Sequence, residues 1–429
     1  MQMIKLSVIA LAVAAASTQL AVASQQSESN GFIEDSKLDA HARVLYMNRD
    51  FRNTPKGTQS YREDAGLGLK AIYESGFTQG TVGFGVDAFG LQGIKLDSGR
   101  GRNGNGQFPT GSNGKAQDNY SQAGGAVKAR LSNTTLKYGE QFVDLPVLST
   151  DDARLLPETA TGFLVTSNEI ENLELNLGHF TALTAMDQTY HDSSNEGLLR
   201  SLDLVGGRYN FTNDLSAAYF YSDADLGHKG ADQARVKKHY TNVNYNLPLA
   251  NAQNLNFDFN MYNTKFNDKD ASKKSKNNVW SLAAAYNFLD AHTLTFAHQR
   301  VTGGLEGGYD YGYDGGGSVY LANDVQYNGF HQKGEKSFQA RYDLDLATYG
   351  VPGLSFMTRY VRGSNIDSGT RNDGKNWERD IEAKYVLQSG VAKDLSFRVR
   401  QATYRANDAA DVRDNNEVRL IVEYPLSIL

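Results

Sequence analysis

The sequence has 429 residues, with 43 Lys and Arg against 49 Asp and Glu, and a mean hydropathy of -0.51. This acidic balance disfavours nucleic-acid binding. Beyond the first two dozen residues, no run approaches the roughly 20 apolar residues of a spanning helix. The chain has no cysteine, and its 42 Gly and 24 Tyr suit strands and turns better than helices.

The first 23 residues have the pattern of a secretory signal peptide. Lys5 precedes an apolar stretch from Leu6 to Ala16, and Ala21-Val22-Ala23 supplies the small residues of a cleavage site. We predict cleavage after Ala23; an uncleaved membrane anchor is the alternative, which the short apolar run disfavours. Residues 24–429 are then expected to form a single domain outside the cytoplasm.

From about Ser36 onward, apolar and polar residues alternate with a period of two, as in a strand with one wet face. Leu255, Phe257, Phe259 and Met261 alternate with polar or amphipathic neighbours, and Trp280–Phe288 and Phe338–Leu346 repeat the pattern. A soluble sandwich would also alternate. The segments run about ten residues, however, which is the length of a tilted membrane strand.

The links between these segments alternate between short and long, as in outer-membrane barrels with short periplasmic turns and long extracellular loops. The short links include Ser75–Gly80, Asn210–Asp214, Asp290–His292 and Gln388–Lys393. The long links include Gln92–Tyr120, Gln141–Thr161, Asp223–Ala234, Lys265–Asn277 and Gly303–Lys333. The sequence therefore predicts an all-β, transmembrane antiparallel barrel of eighteen strands, with sixteen as the competing count.

Gly99–Gly106 contains a G-x-G-x-x-G spacing, which cradles a dinucleotide when it joins a strand to a helix. No helical pattern follows it. We therefore interpret this segment as a flexible extracellular loop.

Several long blocks carry a family resemblance. They include GFIEDSKL at Gly31–Leu38, NRDFR at Asn48–Arg52, RLLPETATGF at Arg154–Phe163, GGGSVYLANDVQY at Gly315–Tyr327 and NEVRLIVEYPLSIL at Asn416–Leu429. The chain resembles the OprD family of substrate-selective porins. The resemblance implies a pore of eighteen strands, narrowed by inward-folded loops and lined by a ladder of basic side chains. The C-terminal Leu429 departs from the aromatic residue that ends many outer-membrane proteins.

Assigning the more apolar phase of each strand to lipid predicts which side chains line the pore. In the C-terminal third, the inward basic residues are then Arg341, Arg359, Lys384, Arg398, Arg400 and Arg419. A midplane Arg or Lys facing lipid would cost about 2 to 4 kcal/mol, which favours the lumen for this phase. These residues either form a positive track for carboxylates or pair with inward carboxylates such as Asp343, Asp380 and Glu382.

Two loops are candidates for the narrowest part of the pore. The loop from Ser132–Phe142 to Phe163 is expected, by family analogy, to fold inward with Asp144, Asp151, Asp152 and Arg154. The loop Gly303–Gly317 could present an acidic and aromatic pocket to a cationic group, with Tyr309, Asp310 and Asp314 as its candidate residues. An ordinary exposed loop is the alternative for Gly303–Gly317.

The resemblance implies passive, selective diffusion of small carboxylate-bearing solutes: basic amino acids, small peptides or aromatic carboxylates. We expect outer-membrane lipid and lipopolysaccharide as surroundings, a monomer or weak trimer, and no cofactor, metal or nucleic acid. One alternative is an outer-membrane hydrolase, although the eight His show no metal spacing and no G-x-S-x-G motif is present. The other is an adhesion or structural barrel whose lumen is plugged.

Overall fold

The computed structural model describes residues 24–190, 199–227, 234–268, 274–303, 319–410 and 412–429. The predicted signal peptide and its cleavage site lie outside these residues. The barrel strands of the first half are β1 (Lys37–Phe51), β2 (Tyr61–Glu74), β3 (Val82–Asp97), β4 (Asn119–Leu131), β5 (Thr134–Gln141), β8 (Thr159–Ile170), β9 (Leu173–Thr184), β10 (Leu199–Asn210) and β11 (Leu215–Leu226). The remaining barrel strands are β12 (Ala234–Pro248), β13 (Asn254–Asp268), β14 (Lys274–Phe288), β15 (His292–Gly303), β16 (Lys336–Asp345), β17 (Leu354–Ile366), β18 (Gly374–Val386), β19 (Ser396–Ala406) and β20 (Asn415–Ser427).

These strands form one closed antiparallel sheet. Each pairs with its neighbours along the chain, and β1 pairs with both β2 and β20, which closes an 18-stranded barrel. Closure satisfies the backbone hydrogen bonds of every strand, as a membrane requires. The predicted fold and the count of eighteen are therefore confirmed. Two further short strands, β6 (Asp144–Leu145) and β7 (Leu148–Ser149), form a separate hairpin.

The alternating pattern sorts side chains between the two faces of the sheet. In β16, Phe338 is 62% exposed on the outer surface, whereas Ser337 and Gln339 on either side of it are buried. The outer face is therefore apolar and the inner face polar, as the alternation predicts. Among the described residues, no helix is long and apolar enough to cross a membrane. The described helices are the 3-10 turns Ala347–Tyr349 and Asp408–Ala410.

Short turns and long loops lie at opposite ends of the barrel. Residues 132–133, 171–172 and 211–214 are short links, whereas residues 98–118 and 142–158 are long ones. This asymmetry assigns the short links to the periplasmic end and the long ones to the extracellular end. Several predicted boundaries were wrong. Ser132 belongs to a tight turn and Thr134–Gln141 is a strand, so that loop begins at Phe142. The predicted links Gln92–Tyr120 and Asp223–Ala234 begin inside β3 and β11, respectively.

The segment that carries Gly99–Gly106 is a loop without a following helix, as expected, but part of it folds into the barrel. The Asn105 side-chain amide donates to the Met47 carbonyl oxygen at 3.0 Å, and the Gln107 amide donates to the Asp64 carbonyl oxygen at 3.2 Å. Asn105, Gln107 and Phe108 are all buried. The interpretation as a flexible extracellular loop is therefore corrected for these three residues, which are buried inside the barrel.

Candidate channel constriction

The structure places all six predicted basic residues on the inward phase of β16–β20. Cross-strand register brings Arg341 opposite Arg359, Lys384 opposite Arg398, and Arg400 opposite Arg419. The alternate residues of the same strands, such as Phe356 and Val399, are exposed on the outer surface. The six side chains thus share one wall of the lumen.

Half of these basic residues each form a short ion pair with a carboxylate. Nitrogen atoms of Arg341, Arg359 and Arg419 lie 2.5 to 2.7 Å from carboxylate oxygens of neighbouring side chains on the same wall. The partners of these three arginines are Asp343, Asp380 and Glu417, respectively. These three arginines therefore have the geometry of the second alternative, in which inward basic residues pair with carboxylates of the wall.

The other three carry an excess of positive charge. Arg398 and Arg400 share the single carboxylate of Glu382, with nitrogen–oxygen distances of 3.6 and 3.0 Å. Lys384 has no ion-pair partner among the described residues. This part of the wall, near the periplasmic ends of β18 and β19, therefore carries more positive than negative charge.

The basic wall continues into β1 and β2, which the sequence reasoning missed. Arg43 Nε lies 2.8 Å from Glu423, and Arg49 Nε lies 2.6 Å from Glu417. The inward phase of β1 also contains Leu45 and Met47, which are buried. Because this phase mixes charged and apolar residues, the polar alternation that marks a lumen face is absent there.

The loop of residues 142–158 is anchored on this wall. Asp152 accepts from Arg43 at 2.7 Å and from Lys70 at 2.8 Å, so one carboxylate joins two strands. Arg43 also donates to the Arg154 carbonyl oxygen at 2.6 Å. The backbone carbonyl of Leu155 lies against Gly68 of β2. These contacts hold one end of the loop on the β1–β2 side of the barrel.

The other end of this loop reaches across to a different part of the wall. The Tyr262 hydroxyl of β13 donates to the Pro146 carbonyl oxygen at 3.1 Å. Asp144, at the β6–β7 hairpin, accepts from the Tyr320 hydroxyl at 2.7 Å. Since β13 and β1 are far apart around the ring, the loop crosses the lumen. Inward folding of this loop narrows the passage.

The two remaining predicted residues of this loop have internal roles. Arg154 Nε donates to the Asn105 carbonyl oxygen at 2.8 Å, which joins the two inward-folded loops. Asp151 accepts from the Ala153 amide at 2.7 Å. Burial raises the pKa of Asp151. Burial also acts to raise the pKa of Asp152, but the charges of Arg43 and Lys70 outweigh it and hold that pKa below its usual range.

A second segment, residues 319–335, also lines the inside of the barrel. Gln326 donates from its side-chain amide to Glu417 at 3.0 Å and accepts at its carbonyl from Arg419 at 3.2 Å. The backbone amides of Tyr327 and Asn328 donate to the buried carboxylate of Glu378 at 2.8 and 2.9 Å. In the sequence, this segment follows the predicted acidic and aromatic pocket. The candidate residues of that pocket, Tyr309, Asp310 and Asp314, lie outside the described residues.

Facing the basic wall, two cavities open on the β9–β13 side of the lumen. They measure about 460 and 490 Å³, and both are lined by Arg208 and Tyr320. Asp144 and Glu174 line the first cavity and Asp258 lines the second. In the 18-strand ring, β11 lies nine strands from β20, which is directly across. The lumen therefore has a basic side and an opposite side that carries carboxylates.

Comparison with known proteins identifies this architecture. The model of the outer membrane porin, OprD family, matches residues 30–428. The chain is 48% identical to Porin D of Pseudomonas aeruginosa, with 100% of both chains covered. The chain belongs to the OprD family of outer-membrane porins.

Solved structures of related porins have the same fold. Acinetobacter baumannii OccAB1 is 36% identical and superposes with a TM-score of 0.86 over 95% of this chain and 100% of that one. A BenF-like porin from Pseudomonas fluorescens Pf-5 is 33% identical, with a TM-score of 0.84 over 93% of this chain and 100% of that one. This OprD-family protein is accordingly a porin of the bacterial outer membrane, and its relatives are porins rather than enzymes.

Proposed function

We propose that this porin passes small carboxylate-bearing solutes by passive diffusion along its basic wall. The observation that carries the proposal is the charge excess beside the inward loop, where five basic side chains face three carboxylates. The basic set is Arg43, Lys70, Lys384, Arg398 and Arg400, and the carboxylates are Asp152, Glu382 and Glu423. Several adjacent cations attract an anion while allowing it to move on, which conduction requires.

The carboxylates across the lumen narrow the choice of solute. Asp144, Glu174 and Asp258 line the cavities opposite the basic wall. A solute with both a carboxylate and an ammonium group is attracted to both walls at once, because its carboxylate faces the basic wall and its ammonium group the opposite carboxylates. Basic amino acids and small peptides therefore fit this lumen better than aromatic carboxylates, which have no cationic end.

The experiment compares three variants in planar bilayers and in liposome-swelling assays. Lys384→Gln and the pair Arg398→Gln/Arg400→Gln remove inward charge, whereas Arg235→Gln/Lys237→Gln removes two charges from the outer face. We expect the inward double variant to lower the uptake of carboxylate solutes roughly tenfold, since focused charge raises local ion concentration at least that much. Its reversal potential should also shift toward cation selectivity.

The outer-face pair is the matched control, because Arg235 and Lys237 lie 2.6 and 3.5 Å from Asp223 and point away from the lumen. Its uptake and selectivity should equal those of the wild type. Wild-type carboxylate uptake by the inward double variant would refute the proposed track. The complete absence of stepwise conductance in the wild type would instead favour a plugged barrel.

We further propose export with cleavage after Ala23 and function as a monomer or weak trimer. With such cleavage the mature chain keeps Gln26, whose side-chain amide donates to the Thr78 and Gly80 carbonyl oxygens at 2.9 and 3.1 Å. The N-terminus is thereby joined to the β2–β3 turn. N-terminal sequencing of outer-membrane protein should begin at Ser24, and light scattering in detergent gives the number of chains per particle.

A further inference from the structure

The outer face of β15–β17 carries a basic cluster at its extracellular edge. Along β15 the outward residues run Leu294, Phe296, His298 and then Arg300, so the apolar stripe ends in a cation. The corresponding stripes of β16 and β17 end in Lys336 and Arg362. We call Arg300, Lys336 and Arg362 the outer cluster.

The outer cluster is crowded and lacks counter-charges. Arg300 lies directly opposite Lys336, and the residue opposite Lys336 on β17 is Ser364, two positions from Arg362. Among the described residues, none of the three makes an ion pair. Like charges directly opposite on a sheet are destabilising. An external anion that bridges the three side chains would remove this repulsion.

An apolar groove lies immediately beneath the outer cluster on the lipid-facing surface. It measures about 470 Å³ and is lined by Leu282, Phe296, Phe338, Ala340, Tyr360 and Arg362. Ala340 lies opposite both Phe296 and Tyr360, so small and large side chains alternate and leave a channel between the rings. Arg362 belongs to both the groove and the cluster, which makes the two features continuous.

We propose that the outer cluster and this groove form a site for a phosphorylated acyl lipid of the outer leaflet. The phosphate binds Arg300, Lys336 and Arg362, since guanidinium groups bind phosphate oxygens in a bidentate manner. One acyl chain lies in the groove between Phe296 and Phe338. The groove favours a membrane lipid over a soluble phosphate compound, because an acyl chain packs against its apolar side chains and a free anion does not.

Charged residues elsewhere on the outer face show the contrast. On β12, Arg235 and Lys237 lie at the same end of the barrel, but they share a carboxylate, Asp223 of β11, at 2.6 and 3.5 Å. An anionic lipid would have to compete with that carboxylate. The pair Arg235 and Lys237 therefore serves as a control with the same number of basic groups.

The two tryptophans of the chain report directly on the site. Trp280 lies opposite Arg300, and Trp377 lies opposite Arg362. Full-length porin in neutral detergent is titrated with bisphosphorylated lipid A, with fully dephosphorylated lipid A and with inorganic phosphate, while tryptophan emission is recorded. Saturable binding is expected for bisphosphorylated lipid A alone.

Arg300→Gln/Arg362→Gln should weaken the binding of bisphosphorylated lipid A by about thirtyfold, as expected for two basic groups at an anionic surface. Arg235→Gln/Lys237→Gln should bind like the wild type. Ala340→Phe fills the groove without changing charge and should also weaken binding. Single-channel conductance should stay at the wild-type value in all three, because every substituted residue faces outward, and this also verifies folding.

Three results would overturn the site. They are wild-type affinity in Arg300→Gln/Arg362→Gln, an equal loss of affinity in the Asp223-paired control, and binding of inorganic phosphate as tight as that of the lipid. Wild-type affinity in Ala340→Phe would separately exclude the groove as the acyl site. None of these results bears on the lumen, so the proposed pore function can fail or stand independently.

Discussion

Gly68→Ala is expected to push the constriction loop into the channel. A β-carbon at position 68 would lie 2.4 Å from the Leu155 carbonyl oxygen and 3.2 Å from its Cγ. Ordinary contact begins near 3.4 Å, so the backbone at Leu155 must retreat by about 1 Å. Overpacking of this kind costs about 1 to 3 kcal/mol. Because Gly68 faces the lumen from β2, the only direction open to the loop is toward the pore axis.

The assay is single-channel conductance, with Gly90→Ala as the control. Gly90 lies on the neighbouring strand β3, and a β-carbon there meets nothing within 4 Å. We expect lower conductance in Gly68→Ala, an unchanged value in Gly90→Ala, and heat-resistant folded barrels in both. Wild-type conductance in Gly68→Ala would show that the Leu155 contact does not set the width of the passage.

Two further predictions concern pH. Burial raises the pKa of Glu335 from 4.5 to about 7, so its contribution to stability is full below pH 4.5 and is lost as the pH rises through 7. Glu335→Gln should therefore increase the free energy of unfolding at pH 8 by at most about 3 kcal/mol, which a higher Tm would report. At pH 4 the Tm should be unchanged. Asp152 has a lowered pKa, so its ion pairs persist until the pH falls below 3.8. Loss of these ion pairs should let the constriction loop move and make the conductance fluctuate. We expect such fluctuations in Asp152→Asn at pH 7, and in the wild type only below pH 3.8.

The barrel could be predicted from sequence because its physical rule is local. Alternation with a period of two fixes which side chains meet lipid, and it does so within each strand independently. The phase of Arg359, between the outward Thr358 and Tyr360, follows from this rule alone. Strand count and loop asymmetry follow from the spacing of the same segments.

The constriction could not be predicted this way because it depends on contacts between distant segments. Leu45 and Met47 point inward and are buried, so the simple assignment of polar residues to the lumen fails on β1. The segment 319–335 gave only the pattern of a polar loop, yet its backbone amides at Tyr327 and Asn328 bind the Glu378 carboxylate. No spacing along the chain signals such a hydrogen bond.

Charge partners were equally invisible to the sequence. Arg359 and Arg398 both lie on the inward phase, but Arg359 has Asp380 to itself at 2.5 Å while Arg398 shares Glu382 with Arg400. Whether a basic residue stabilises the wall or attracts a solute depends on that local count. An arginine that is already paired attracts a passing carboxylate only weakly, since its partner compensates its charge.

Basic residues on the two faces of a strand differ in where along the strand they can lie. Inward cations such as Arg398 avoid lipid at any height in the membrane, because their side chains face the lumen. Outward cations such as Arg300 and Arg362 are tolerated only near the membrane surface, where the cost of an Arg or Lys falls from about 2 to 4 kcal/mol at the midplane to about 1 kcal/mol or less. Both outward arginines lie within four residues of the extracellular ends of their strands, β15 and β17. Phase along the strand and height in the membrane must therefore be assigned together before a basic residue can be given to solute or to lipid.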